Sequence, residues 1–200
     1  MKTFVIRTRK DLAIHKKNGI YHFDGNVDFR DDISFNEDVR VAGNIKNSWG
    51  CDINSTGNII VQGMINCGGD LKAMENISAG GINVGGRLSG YNIYSEYEIK
   101  AASIDAQDAV EACTSITTII GGFVTRGPIR AEGCIDIEGD IVGEHIRSKS
   151  DIKSGGTIIC GGFIEAEGFI EAKENIRSRR ATIAQGHIST EAGDIITEHG

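Results

Sequence analysis

From Val27 to Ile195 an aliphatic residue returns every five to seven positions with almost no break. The clearest run is Ile129-Arg-Ala-Glu-Gly-Cys, Ile135-Asp-Ile-Glu-Gly-Asp, Ile141-Val-Gly-Glu-His, Ile146-Arg-Ser-Lys-Ser-Asp, Ile152-Lys-Ser-Gly-Gly-Thr. A surface helix repeats its apolar face every 3–4 residues, and a long half-buried strand alternates every two. A period near six fits neither. It fits a short strand and a corner, repeated.

Taken three at a time, the units give a larger period. Coils open at Val27, Ile45, Ile65, Ile82, Ile99, Ile116, Ile135, Ile152, Ile170 and Ile188, with spacings of 17–20 residues. Three short strands per coil predict an all-β, single-stranded, three-sided parallel β-helix of about nine coils over residues 27–200. Stacked at ~4.8 Å per coil, nine coils make a prism about 43 Å long. An antiparallel sandwich needs longer alternating runs and hairpin signals, which are missing.

The pleat places unit positions one and three inward. Position one reads as Ile, Val, Leu or Phe. Position three is mostly small, as at Ala73, Ala79, Ser95, Ala101, Ala131, Ser148 and Ala166, as a narrow triangular interior requires. In the first coils Phe29, Phe35 and Val41 take that place, so this end is expected to be wider and filled by aromatic rings. The 27 glycines against a single proline, Pro128, speak for repeated tight corners rather than a disordered linker. Glycines such as Gly63, Gly69, Gly86, Gly127, Gly156 and Gly168 are expected to supply positive φ there. Residues 1–26 stand outside the period. Thr3-Phe-Val-Ile-Arg reads as a strand, and Asn18-Gly19 before Ile20-Tyr-His-Phe as a hairpin, together an N-terminal β cap over the first coil.

Charge is unevenly spread. Residues 1–18 hold Lys2, Arg7, Arg9, Lys10, Lys16 and Lys17 against Asp11 alone, which is +5 in a chain of net −7 and leaves −12 for the rest. An acidic body repels phosphate, so direct binding to nucleic acid is not expected. The five cysteines are odd in number, widely spaced and without a CxxC pair, so neither a metal site nor a disulfide framework is read from them. Cys67 and Cys160 occupy position three and read as small core fillers. The N-terminus lacks a signal-peptide pattern, and no apolar run reaches the ~18 residues of a membrane span, so a cytoplasmic location is expected.

Enzymatic readings find little support. Hexapeptide acyltransferases place the small residue two before the aliphatic one, whereas here it comes two after, and the corner residues His145 and His187 have no inserted loop beside them. Gly80-Gly81-Ile-Asn-Val-Gly85-Gly86 lacks the Lys-Ser/Thr ending and the helix of a phosphate loop. Glu165 and Glu171 belong to different faces and cannot act as a pair. No catalytic, cofactor or metal residues are assigned.

Position two points outward. On the second face this column runs Ser34, Asn54, Lys72, Ser89, Asp105, Val124, Val142, Ile159, Arg177, Ile196. Val124, Val142 and Ile159 therefore form an aliphatic stripe, with Ile196 beyond it, and such a stripe usually marks an interface. A second candidate contact joins the basic opening (Arg7, Arg9, Lys10, Lys16, Lys17) to the acidic last coil (Glu191, Asp194, Glu198).

Ile129-Arg-Ala-Glu-Gly, Gly139-Asp-Ile-Val-Gly, Ile164-Glu-Ala-Glu-Gly and Ala192-Gly-Asp-Ile-Ile resemble the β-solenoid of bactofilins, the bacterial polymer-forming cytoskeletal proteins. They are also similar to the solenoid of flagellar assembly protein A-type proteins. As a pattern the resemblance covers most of residues 27–200. The structured-looking N-terminal segment departs from the short flexible tail of bactofilins. The resemblance implies scaffolding or self-assembly with no catalytic residues. The expected function is that of a non-catalytic structural protein that pairs with itself, laterally or end to end, or with another protein. The alternative is an acidic rod that imitates nucleic acid and inhibits by binding; a hexapeptide-type acyltransferase comes last.

Overall fold

The computed structural model describes residues 1–47 and 50–198, leaving aside the Arg9 side chain. It is an all-β, parallel solenoid with three faces. The second face is a ten-stranded sheet, so the rod makes about ten turns where the spacing predicts nine full coils and a partial tenth. The other two faces are joined into one sheet because the strands Ile59–Cys67 and Ile77–Val84 run through the corner between them.

Most strands are three residues long and bury their first and third side chains, as in Ile129–Ala131, Ile146–Ser148 and Ile164–Ala166. Parallel pairing places like on like. Ile116, Ile135, Ile152, Ile170 and Ile188 are successive partners on the first face. Each fully buried Ile is worth about 1.5–3 kcal/mol, so the columns supply the main driving force. Position three is occupied by the predicted small residues, with Cys67 and Cys160 buried among them. One unit breaks the position-one rule: Thr182 partners Ile164, so Ile183 points outward. The Thr182 hydroxyl lies 2.9 Å from Ser178 Oγ, which gives this polar side chain a partner in its partly buried place.

Corners carry a second ladder that the periodicity does not announce. An Asn or Asp just before a strand accepts the backbone N–H of the matching corner residue one coil later. Asn26 Oδ1 takes Asn44 N (2.9 Å), Asp38 takes Asn58 N (2.8 Å), Asp52 takes Asp70 N (2.7 Å) and Asp151 takes Phe169 N (3.0 Å). Asp32 does the same for Asp52 N (2.8 Å). These side chains satisfy corner donors that strand pairing does not reach.

The ladder also corrects the reading of the glycines. Among the described residues only Asn18, Gly19 and Gly50 have positive φ, so Gly63, Gly69, Gly86, Gly127, Gly156 and Gly168 are not there for left-handed backbone. A Cβ at any of these six would overlap a side-chain oxygen of the coil below: Asn44, Asp52, Asp70, Asp108, Asp140 and Asp151 respectively. The requirement is close approach between coils, not turn conformation.

Residues 1–26 extend the ladder and close it. Strand β1 (Thr3–Ile6) pairs in parallel with Asn26–Phe29, and strand β3 (Ile20–Phe23) with Asp38–Val41. β2 (Lys16–Lys17) pairs antiparallel with β3 around Asn18 and Gly19, both at positive φ as a two-residue hairpin turn needs. Between β1 and β2 lies the short helix α1 (Arg9–Ala13), which the strand-based reading did not contain. Thr8 and Asp11 form its capping box, and Leu12 is buried in the core. The adjoining interior is aromatic, as expected, with Tyr21, Phe23, Phe29 and Phe35 in edge contact at 5.0–6.4 Å between ring centres.

Candidate interaction surface

Because the second-face strands pair in parallel, their middle residues form one outward column. Its order is Ser34, Asn54, Lys72, Ser89, Asp105, Val124, Val142, Ile159, Arg177, Ile196, rung by rung as the spacing predicts. Val124, Ile159 and Ile196 are 48%, 44% and 41% exposed, and Val142 is half-buried between its neighbours. Among the described residues nothing covers this stripe. Ile119 and Ile120, in the corner that leads into Phe123–Thr125, are also exposed, Ile120 by 77%. These two were not singled out from the sequence. The signal was the 19-residue coil that begins at Ile116, two residues longer than the coil before it.

The stripe is bounded by charge. Asp105 precedes Val124, and Arg177 follows Ile159. Both are exposed, and neither has an ion pair or side-chain hydrogen bond among the described residues. Toward the N-terminus the same face turns polar, with Asn54, Lys72, Arg87, Ser89 and Asp105 lining a shallow depression.

The other faces differ. The first carries Asp28, Lys46, Asn66, Asn83, Lys100, Thr117, Asp136, Lys153, Glu171 and Ser189, a column of mixed sign. The third holds Glu111 paired with Arg130, and Arg147 with Glu165 at 3.4 Å. These charges neutralise one another at the surface.

The two corner histidines, His145 and His187, are engaged by their neighbours. His145 Nδ1 accepts the Phe163 N–H at 3.2 Å and its ring stacks on Phe163, so it stands in for an Asx residue in the corner ladder. His187 stacks on Phe169 and meets Glu171 Oε1 at 2.8 Å. Glu165 and Glu171 lie on different faces, as predicted. No group of three or more His, Cys, Asp or Glu able to hold a metal occurs among the described residues.

At the N-terminal end the basic residues are distributed unevenly. Lys16 is already taken by Glu37 at 2.8 Å. Arg7, Lys10 and Lys17 are exposed without an ion pair among the described residues, and the Arg9 side chain lies outside them. In the last coil Glu191, Asp194 and Glu198 are exposed. Within the described residues no helix is long and apolar enough to cross a membrane. No protein-family model, no curated protein and no solved structure matches the chain.

Proposed function

We propose that this rod is a non-catalytic scaffold that works through its surface, associating laterally with other copies of itself through the second face. The observation that carries the reading is the exposed aliphatic column Val124, Val142, Ile159 on three adjacent rungs. Elsewhere the exposed apolar residues of the outward columns, such as Ile60, Tyr94 and Ile183 on the third face, stand singly between polar or charged rungs, whereas apolar groups in one contiguous row gain from being covered. The bactofilin-like pattern of the sequence agrees with a cytoplasmic self-assembling role. A mimic of nucleic acid would need an outward stripe of one sign, and the mixed first-face column argues against it. Sedimentation tests the reading. Wild-type protein should self-associate with rising concentration, and Val142→Asp should leave monomers. An unchanged oligomeric state in Val142→Asp overturns it.

A second mode, end to end, rests on Arg7, Lys10 and Lys17, which have no ion pair among the described residues, at one end and Glu191, Asp194 and Glu198 at the other. Contact between exposed charges is screened over ~8 Å at physiological salt, so this mode should weaken as salt is raised. Assembly that ignores ionic strength leaves it without a basis.

A further inference from the structure

The second-face column is self-complementary when read backwards. Centred on Val142 it runs Ser89, Asp105, Val124, Val142, Ile159, Arg177, Ile196. Reversal sets Val142 on Val142, Val124 on Ile159, and the acidic Asp105 on the basic Arg177. We propose that two copies pair through this face as antiparallel rods, related by a two-fold axis at Val142 that runs along the strand direction. The proposal rests on the lateral reading above and adds the partner's orientation and register.

Two face-to-face arrangements would bury the same aliphatic stripe. In the parallel one the axis lies along the rods, and each residue faces its own copy. Asp105 would then meet Asp105, and Arg177 would meet Arg177. The antiparallel arrangement replaces both like-charge contacts by two Asp105–Arg177 pairs, on residues that have no ion-pair partner within their own chain among the described residues. Charges at the border of an apolar contact contribute little to affinity but decide register, because opposed like charges are costly.

The corners give a second, independent reason. With the axis along the strands, the corner entering each strand faces the corresponding corner of the partner copy. Ile119 and Ile120, which project before Phe123–Thr125, then lie over the corner before Ile158–Cys160, which is Gly155, Gly156 and Thr157. Small residues leave room for the two isoleucines. In the parallel arrangement the same isoleucines would face the exit corner at Arg126 and Gly127, where a charged side chain would be stripped of water.

The overlap is seven rungs, about 34 Å at ~4.8 Å each. With a face on the order of 15 Å wide, this covers about 500 Å² per copy, at the small end of specific interfaces. The dimer is therefore expected to be weak and concentration-dependent.

Sedimentation equilibrium and disulfide trapping test it on the full chain. Asp105→Arg and Arg177→Asp should each raise the dimer dissociation constant by about tenfold, since each turns two attractive contacts repulsive. The double variant should return it to within a few-fold of wild type. In a Cys113→Ser background, Val124→Cys mixed with Ile159→Cys should give crosslinked heterodimer, while Val124→Cys alone should not crosslink. Self-crosslinking of Val124→Cys, or single charge variants that leave the constant unchanged while Val142→Asp abolishes pairing, overturns the antiparallel register and leaves the lateral reading standing. A wild-type chain that stays monomeric at all concentrations overturns both.

Discussion

Asp140 and Gly156 compete for one volume. Asp140 Oδ1 accepts the Thr157 N–H at 2.7 Å, and a Cβ on Gly156 would overlap that same oxygen. The next nearest atoms to such a Cβ are Asp140 Cγ and N, at 3.2 Å. The glycine of one coil is thus specified by the carboxylate of the coil below it.

This makes the two positions energetically coupled. Asp140→Ala should cost about 1 kcal/mol for the lost hydrogen bond. Gly156→Ala alone should cost about 1–3 kcal/mol, since it expels the carboxylate and crowds the corner. In the double variant the alanine enters space already vacated, and most of the second cost should vanish. A double-mutant cycle on denaturation midpoints checks it. Additivity within ~0.5 kcal/mol would mean the corner ladder does not dictate the glycines.

The same pair shows what could be read in advance. Aliphatic spacing alone placed each second-face residue on its correct rung, from Ser34 to Ile196, because burial of Ile columns leaves no other register. The corner ladder was invisible to a local reading. Its partners, such as Asp140 and Thr157, are 17 residues apart, and only the stacking brings them together. A glycine at a corner therefore suggested turn conformation when its cause was a neighbour in another coil. Helix α1 was missed for a different reason. Its signal, Thr8 followed at the third position by Asp11 and then Leu12, is short, and a five-residue helix offers no periodicity to detect.

Closure of the N-terminal end should depend on Leu12. It is 3% exposed and is the helix's contribution to the core. Leu12→Ala should cost about 2–5 kcal/mol, as for other buried leucines. Repeat proteins transmit such losses mainly to neighbouring units. Hydrogen exchange should therefore speed up in β1 and β3 while Ile158–Cys160 stays protected. Uniform loss of protection along the rod would show that the cap governs the whole solenoid.

Thiol chemistry offers a check on the interior. Burial pushes the Cys67 thiol up to about 11, and it also raises that of Cys160. At pH 8 roughly one Cys67 in a thousand is thiolate, and the group is enclosed besides. Cys113 is exposed. A charged alkylating reagent should modify Cys113 first and leave Cys67 and Cys160 untouched until the chain unfolds. Fast modification of Cys67 in the native protein would contradict the packed interior.

The N-terminal segment should loosen in acid because of His15. Its ring lies 4.8 Å from Phe4 and 4.5 Å from Phe23, centre to centre. Burial, with Lys2 nearby as a smaller cause, holds its pKa below the ordinary 6.5. Above that value folded and unfolded chains both carry neutral imidazole, and the contribution of His15 to stability is complete. As pH falls below it, the unfolded chain takes up the proton first, so stability is lost until the lowered folded pKa has been passed. His15→Phe keeps an aromatic ring between Phe4 and Phe23 and removes the titration. The wild-type midpoint should therefore fall relative to that of His15→Phe between pH 7.5 and pH 5, in melts followed by exchange of β1 and β3 amides. Parallel curves for the two proteins across this range would show that the proton on His15 does not act on the cap.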